Sequence, residues 1–432
     1  MASKTIGNLA KMSKLFQPMS IEILDKRNKE VSKNFKLLSN YGIIKSVNTG
    51  MYALLPLGMR ALNKLIDLVD KEMAKIGAEK ILLPALTSTA LWKRSDRYDS
   101  NKTELFTVTD RHNKEYILSP TCEEQICDLI SSMGHLPHKL LPLRLYQISS
   151  KWRDEMHPRL DLLRSREFVM KDLYTFDSSL EYAQQTYNLV CKSYDNIFKK
   201  LGIKYVKAVG NVGTIGGLSS HEYHYITEAG EDIVLRCPSC DFSINETIAD
   251  TSNCPGCKTE LHKHTTAEVG HTFLLNTKYS KPFQVKYLEY NEINTAAMGC
   301  FGLGLSRILM LAVETLSINN EMRWPVKLAP YTACVIPPKV GSKEEATSAY
   351  VQQLSEILCK RDIDAILDDR TRFTIGKRML YARATGYPYI IVIGKAATQS
   401  TPLFELHDLN NSVSHEFTLE QLDNYFADID LS

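Results

Sequence analysis

The chain has 432 residues, 44% of them apolar and 24% charged, and its 52 basic and 50 acidic side chains leave a net charge of +2. That length allows two or three domains, and the charge balance excludes a histone-like cationic coat while leaving room for a local basic face that meets nucleic acid. No apolar run approaches the roughly 18 residues a membrane helix needs, so no membrane partner is expected.

In chain order, the first twenty residues carry Lys4, Lys11, Lys14, several serines and no acid. This suits an organelle transit peptide that lacks its usual arginines, and equally a frayed basic tail. Leu62, Leu65, Val69 and Met73 then recur at helical spacing, and Gly77 is placed to end that helix. KILLPAL reads as a buried strand ending near Pro84. Residues 143–155 and 166–176 read as two antiparallel strands joined by a long loop that holds His157, Arg159 and Arg164. On the second strand Phe168 and Met170 share one face, and Glu167 and Val169 the other. A helix over about 179–201 follows, with Asp177 or Ser178 as its cap.

GCFGLGLSRILML, from Gly299 to Leu311, reads as a glycine-rich opening of an apolar helix that carries Arg307. A domain boundary is expected near residue 330. Beyond it, strands in TACVIPP, DAILDD and YPYIIVIG alternate with two helices, the first showing Ala346, Tyr350, Leu354 and Ile357 on one face. That alternation predicts a small sheet with helices packed on it.

Several segments carry chemistry. Arg153, Asp154 and Glu155 sit at a strand end. An arginine there can hold a phosphate through two parallel hydrogen bonds, with Phe168 offering a ring for a base; a surface ion pair is the plainer reading. The glycine run lets backbone approach a ligand, yet it matches neither the P-loop nor the dinucleotide fingerprint. SPTCEEQ suits a helix start, with Thr121 as cap and Glu123 and Glu124 favouring the dipole. Cys237, Cys240, Cys254 and Cys257 form C-x2-C-x13-C-x2-C, which suits tetrahedral ligation of a structural Zn²⁺ and leaves no open position for catalysis. Free thiols packing a small subdomain are the alternative, and His262 and His264 are spare ligands at best. Cysteine usage of this kind points to a reducing interior. Arg370, Arg372, Lys377, Arg378 and Arg383 gather in one segment that, alone, reads as a solvated helix face.

Together these segments resemble the class II aminoacyl-tRNA synthetases, and among them the prolyl family in its mitochondrial form. Three class-defining motifs occur in order: the helix and strand ending at LLPAL, Arg153-Asp154-Glu155 with Arg164 and Phe168, and the glycine run ending in Arg307. SPTCEEQ resembles the family's Pro-Thr-His-Glu-Glu signature, with Cys122 where histidine is usual, and EVGHTF resembles its Glu-Val-Gly-His-x-Phe stretch.

The resemblance implies an α+β catalytic domain with an antiparallel sheet over 21–330, including a cysteine module at 235–262. An α/β anticodon-binding domain over 331–432 follows, and a transit peptide or disordered tail at 1–20 precedes. It implies a ligase that uses ATP and Mg²⁺ to join proline to its tRNA. Arg153 would bridge the proline carboxylate and the α-phosphate, and Arg164 and Arg307 would hold the γ-phosphate. Phe168 and Arg307 would sandwich adenine, Glu155 would accept its amino group, and Glu268 would sit beside Mg²⁺. Thr121 and Glu123 would take proline's ammonium, with His271 and Phe273 closing around the ring. Arg370, Lys377 and Arg378 would read the anticodon, since arginine suits guanine edges and loop bases can be splayed out.

The implied partners are proline, ATP, the proline tRNA and a second copy of the chain. The implied compartment is the mitochondrial matrix, with the cytoplasm as alternative. The interval from Phe176 to Gly299 leaves no room for a separate editing domain, so no clearance of alanyl-tRNA in cis is expected. A class II synthetase for threonine or glycine and a non-catalytic accessory subunit are the alternatives; Thr121 and Glu123 argue against the first, and Arg153, Arg164 and Arg307 against the second.

Overall fold

The computed structural model of the chain describes residues 9–19, 37–318 and 321–429. They fall into two compact units. The larger, 46–52 with 65–311, is built on a nine-stranded sheet. Its order is Ser219–Ile226, Tyr205–Val209, Ser243–Asn245, Asp232–Arg236, His262–Asn276, Ala297–Gly304, Glu167–Asp177, Leu143–Trp152 and Glu79–Lys80. All neighbours run antiparallel except the two at Ser243–Asn245 with Tyr205–Val209 and at Glu79–Lys80 with Leu143–Trp152.

The two strands expected around the Arg159 loop are present, in a register that pairs Trp152 with Glu167. Helix Leu180–Leu201 covers the back of the sheet. Its Tyr187 meets Phe301, and its Tyr194 and Phe198 meet Tyr223, with ring centroids 5.3–5.6 Å apart. The N-cap is Ser179, whose hydroxyl accepts from Tyr182 N, rather than Asp177 or Ser178. Asp177 instead accepts from Thr186 Oγ1 at 2.7 Å. Gly202, at φ 69°, closes the helix as glycine does best.

Helix Pro56–Lys75 buries Leu62, Leu65, Val69 and Met73, and Gly77 lies just past its end with positive φ, both as expected. KILLPAL departs from expectation. Only its two ends pair, Lys80 with Tyr146 and Leu86 with Leu118; Ile81 and Leu83 are half-buried against the core and Leu82 is 75% exposed, so the run is not one buried strand. The glycine run departs too: Ala297–Gly304 is a strand, and helix Leu305–Leu316 begins after the last glycine. With strands paired on both sides, glycines in the middle thin the sheet where a ligand can lie.

The smaller unit joins the described residues before 46, residues 53–64 and the described residues from 312 onward. It is therefore wider than the segment 331–432. Its sheet runs Ala10–Lys11, Ala365–Leu367, Ala333–Ile336, Tyr389–Val392, Phe404–Asp408 and Val413–Phe417, parallel over the first four strands and antiparallel over the rest. Met12 is buried, and Ser13 donates to the Asp369 carboxylate from N at 2.8 Å and from Oγ at 2.6 Å. Residues 9–19 are thus no disordered tail, while residues 1–8 lie outside the described ones. In helix Tyr350–Lys360 the buried face is Leu354, Ser355 and Leu358; Ala346 is exposed in the 3-10 turn that precedes it.

Candidate active site

Side chains alternate across a strand, so three neighbouring strands aim every second residue at the front of the large sheet. Asp172 pairs with Gly302, which pairs with His271; Tyr174 pairs with Cys300, which pairs with Phe273. Phe168, Met170, Asp172, Cys300, Gly302, Gly304, His271 and Phe273 line one cavity of ≈ 280 Å³ above that floor.

Two arginines face into it. Arg153 N donates to Arg166 O at 2.9 Å, and the guanidinium carbon stands 5.3 Å from the Phe168 ring centre. Burial, then the facing charge of Arg307, pulls Arg153's pKa down. Arg307 donates to Glu268 O at 3.3 Å. Burial alone would raise the Glu268 carboxyl, but the His271 hydrogen bond at 3.2 Å and the charges of His271 and Arg307 outweigh it and hold it at about 2. His271 stacks on Phe273 with centroids 4.0 Å apart. Arg153 and Arg307 thus face each other in the cavity with the ionised Glu268 acting on both, and their guanidinium groups are of the kind that can hold phosphate or carboxylate.

Acids line the cavity as well. Glu123 is fully buried. It accepts from Thr121 Oγ1 at 2.8 Å, from the Cys300 thiol at 3.0 Å and from Arg97 Nη1 at 3.1 Å. Burial pushes its pKa up, but Arg97 and those hydrogen bonds prevail and keep it below the usual carboxylate range. Thr121 therefore bonds its neighbour's carboxylate and does not cap the helix; Cys122 occupies the N-cap without a side-chain cap bond. Asp172, also buried, pairs with Lys151 at 3.0 Å and accepts from Gln147 and Tyr174 at 2.9 Å each.

Of the residues expected at the site, Thr121, Glu123, Arg153, Phe168, Glu268, His271, Phe273 and Arg307 line this one cavity. Glu155 and Arg164 are not among its lining residues. Arg164 donates to Glu155 at 2.8 Å and to Glu231 at 2.9 Å, and Glu231 also takes Arg159 at 2.5 Å. Cys122 is likewise outside the lining; burial pushes its thiol up to about 12, and it accepts from Gln147 at 3.3 Å. The pattern alone missed Trp92, Arg97, Glu104, Asp172 and the 211–215 loop, all part of the lining. Asp172 had a readable signal, since it continues the alternation from Phe168 and Met170.

The four cysteines converge, with all sulfurs within 4.8 Å of one another. Cys237 and Cys257 are 3.3 Å apart, Cys240 and Cys254 3.6 Å, and Cys240 and Cys257 3.9 Å. Thiolates at about 2.3 Å from a tetrahedral ion lie roughly 3.8 Å from each other, so the donors fit Zn²⁺.

The basic segment divides. Arg378 is 0% exposed and donates to Asp368 O at 3.1 Å and Pro337 O at 2.6 Å, which makes it a buried tie and removes it from the expected anticodon face. Arg370 is clamped on the Asp368 carboxylate at 2.9 and 2.7 Å, and Arg383 is paired with Glu321. Lys377 and Arg372 remain exposed.

A family model described as tRNA synthetase class II core domain (G, H, P, S and T) matches residues 106–316, and one described as anticodon binding domain matches 332–429. A protein of Homo sapiens named "Probable proline--tRNA ligase, mitochondrial" is 45% identical over 413 residues, covering 93% of this chain and 87% of its own. The chain belongs to the proline–tRNA ligase family of class II tRNA synthetases. Another member, from Schizosaccharomyces pombe and of the same name, is 37% identical over 87% of this chain and 89% of its own. A prolyl-tRNA synthetase of Giardia lamblia, solved with prolyl-adenylate, shares the fold at a TM-score of 0.76 and 19% identity, over 90% of this chain and 73% of that one. Family membership and the cavity meet at the same residues: the core-domain match spans every lining residue from Phe168 to Arg307.

Proposed function

We infer that this chain is a proline–tRNA ligase that activates proline with ATP and transfers the prolyl group to the 3′ end of the proline tRNA. The observation that carries the reading is one cavity holding Thr121 and Glu123 together with Arg153, Phe168 and Arg307. An amino acid carries an ammonium beside a carboxylate, and ATP carries a base beside phosphates; the cavity offers acids, cations and a ring to match.

In the first step a proline carboxylate oxygen attacks the α-phosphorus and pyrophosphate leaves. Arg153 bridges the two anions, whose mutual repulsion is the main obstacle. Phe168 stacks on adenine, and Arg307 covers its other face and reaches the γ-phosphate. Arg164 exchanges Glu155 and Glu231 for the γ-phosphate, which frees Glu155 to accept the adenine amino group. Thr121 and Glu123 fix the secondary ammonium, and His271 and Phe273 close on the ring. Glu268, kept ionised, is the hard oxygen donor that would hold Mg²⁺, whose chemistry is neutralisation of phosphate charge. In the second step the terminal ribose hydroxyl attacks the prolyl carbonyl and AMP leaves; orientation supplies most of that rate.

The four cysteines would hold a structural Zn²⁺. Lys377 and Arg372 contribute the exposed charge for the anticodon, beside Arg370 on the same segment. The exposed Leu82 supports pairing with a second copy. The relatives named mitochondrial support the mitochondrial matrix as compartment. We expect no clearance of alanyl-tRNA in cis, since the described residues between Phe176 and Gly299 are taken up by the large sheet, its helix and the cysteine module.

The test is ATP–pyrophosphate exchange with proline, alanine, threonine and glycine in parallel. Exchange driven chiefly by proline is expected. A folded, ATP-binding sample that exchanges with none of them would overturn the reading.

A further inference from the structure

Glu123 and Glu124 are adjacent buried acids at the start of one helix, and a single buried guanidinium stands against both. Arg97 is 5% exposed and lies in the turn after helix Thr89–Arg94. Its Nη1 is 3.1 Å from Glu123 Oε2 and 3.1 Å from Glu124 Oε1. The turn is pinned at both ends: Arg97 N donates to Trp92 O at 3.1 Å, and Arg97 O accepts from Asn101 Nδ2 at 2.8 Å. The guanidinium lies 4.6 Å from the Trp92 ring centre. Ser95 Oγ donates to Glu124 at 2.7 Å, so the second acid is held from the same turn.

A carboxylate offers about four acceptor directions. On Glu123 three are taken, by Arg97, Thr121 and Cys300. Those bonds fix its rotamer, and Glu123 lines the cavity. Without Arg97 the two acids would share a proton, as paired carboxylates do, and Glu123 would lose both its full charge and its fixed rotamer. With Arg97 in place Glu123 is held below the usual carboxylate range, while burial pushes Glu124 up.

We propose that Arg97 is the positioning residue of the amino acid pocket, holding Glu123 charged and aimed at the substrate's ammonium by bridging it to Glu124. This rests on the reading of the cavity as the proline site. Arg97 acts through Glu123 and takes no part in the bond changes at phosphorus.

The groups facing Glu123 are Arg97 from the turn, Glu124 from its own helix, Cys300 and Tyr174 from the sheet, and Tyr279 and Lys278 beyond strand His262–Asn276. Burial pushes the Cys300 thiol and both tyrosines upward and Lys278 downward; with Arg97 in place Glu123 is held below the usual carboxylate range, so it responds between pH 6 and 9 only once Arg97 is removed.

The experiment is pyrophosphate exchange by wild type, R97K, R97M and R97M/E124Q, varying proline and ATP separately from pH 6 to 9. Truncating one partner of a buried charge pair leads us to expect R97M to raise the KM for proline about 100-fold while the KM for ATP stays within about 3-fold. In R97M, kcat/KM for proline should fall further as pH drops from 8 to 6, because Glu123 then takes up the proton; the wild-type curve should stay flat. R97K should recover at least about tenfold of the loss, since it restores the charge without the fork. A folded R97M whose proline KM is unchanged, or whose proline and ATP constants move together, overturns the proposal. Should R97M fail to fold, R97M/E124Q removes the second acid with the guanidinium, and R97K keeps the cation; an unchanged proline KM in both overturns it equally. Wild type that exchanges with no amino acid would instead strike at the function itself.

Discussion

Arg153 offers a case in which activity and stability should move in opposite directions. In R153M the stem can still pack beside Phe168, but the guanidinium is gone. A cation about 4 Å from the anions it draws together contributes ~4 kcal/mol at an effective dielectric near 20. Its loss should lower exchange about 10³-fold. Without ligand the same guanidinium is a burden, because burial and the facing Arg307 both press its pKa down. Methionine removes that charge from a partly buried place, so the ligand-free melting temperature should stay level or rise. The assay pairs proline-dependent pyrophosphate exchange with thermal unfolding followed by circular dichroism. Exchange within about tenfold of wild type would show that the clamp lies elsewhere. A fall in melting temperature of several degrees would show that Arg153 is a structural tie.

Lys171 lies buried behind the sheet against Tyr194, and burial lowers its pKa to about 7. A folded pKa below the unfolded one means the penalty is full below pH 7 and fades as pH climbs toward the ordinary lysine value; K171M should therefore gain melting temperature at pH 6 and lose that advantage by pH 10. Glu231 competes for Arg164, so E231Q should lower the KM for ATP severalfold and leave that for proline unchanged; a rise in the ATP constant would refute the competition. Protein purified under reducing conditions should carry one zinc per chain by elemental analysis, and C254S should lose both the metal and several degrees of melting temperature, whereas metal-free protein with four reduced thiols would sink the site.

The alternation of the strands made most of the site legible. Phe168 and Met170 on one face lead on to Asp172 and Tyr174, and the glycine run has the same period of two through Cys300, Gly302 and Gly304. By sequence it reads as a helix start because glycine is a poor strand former, and only the pairing on both sides explains its place. KILLPAL looked buried because an apolar run has the same composition whether a core or a partner covers it; Leu82 stays outside. Arg378 looked solvated because no local pattern separates a guanidinium that meets water from one that ties two backbone carbonyls. Arg97 and Glu123 are 26 positions apart, and Ser13 and Asp369 are 356 apart. Those pairings exist only once the sheets and turns are assembled.

The glycines of the floor allow one more test of what the cavity is for. A β-carbon built on Gly302 would stand 3.7 Å from Met170 Sδ and 4.0 Å from His271 O, which is ordinary contact. Gly270, in the next strand, differs: its β-carbon would meet Leu303 at 2.7 Å. The protein's own packing therefore requires glycine at 270 and leaves alanine open at 302, where the backbone is plain strand. Alanine in a strand is favoured over glycine by about 0.5–1 kcal/mol, because the unfolded chain loses freedom. G302A should thus fold and melt at or above the wild-type temperature. Its methyl group, however, enters the floor of the cavity between Asp172 and His271. Overpacking of that kind costs about 1–3 kcal/mol, and here the cost falls on the bound substrates. Proline-dependent exchange should fall about 10- to 100-fold with no loss of stability. A stable G302A with full activity would mean that the substrates do not reach this part of the floor, and the assignment of His271 and Phe273 to the proline ring would go with it.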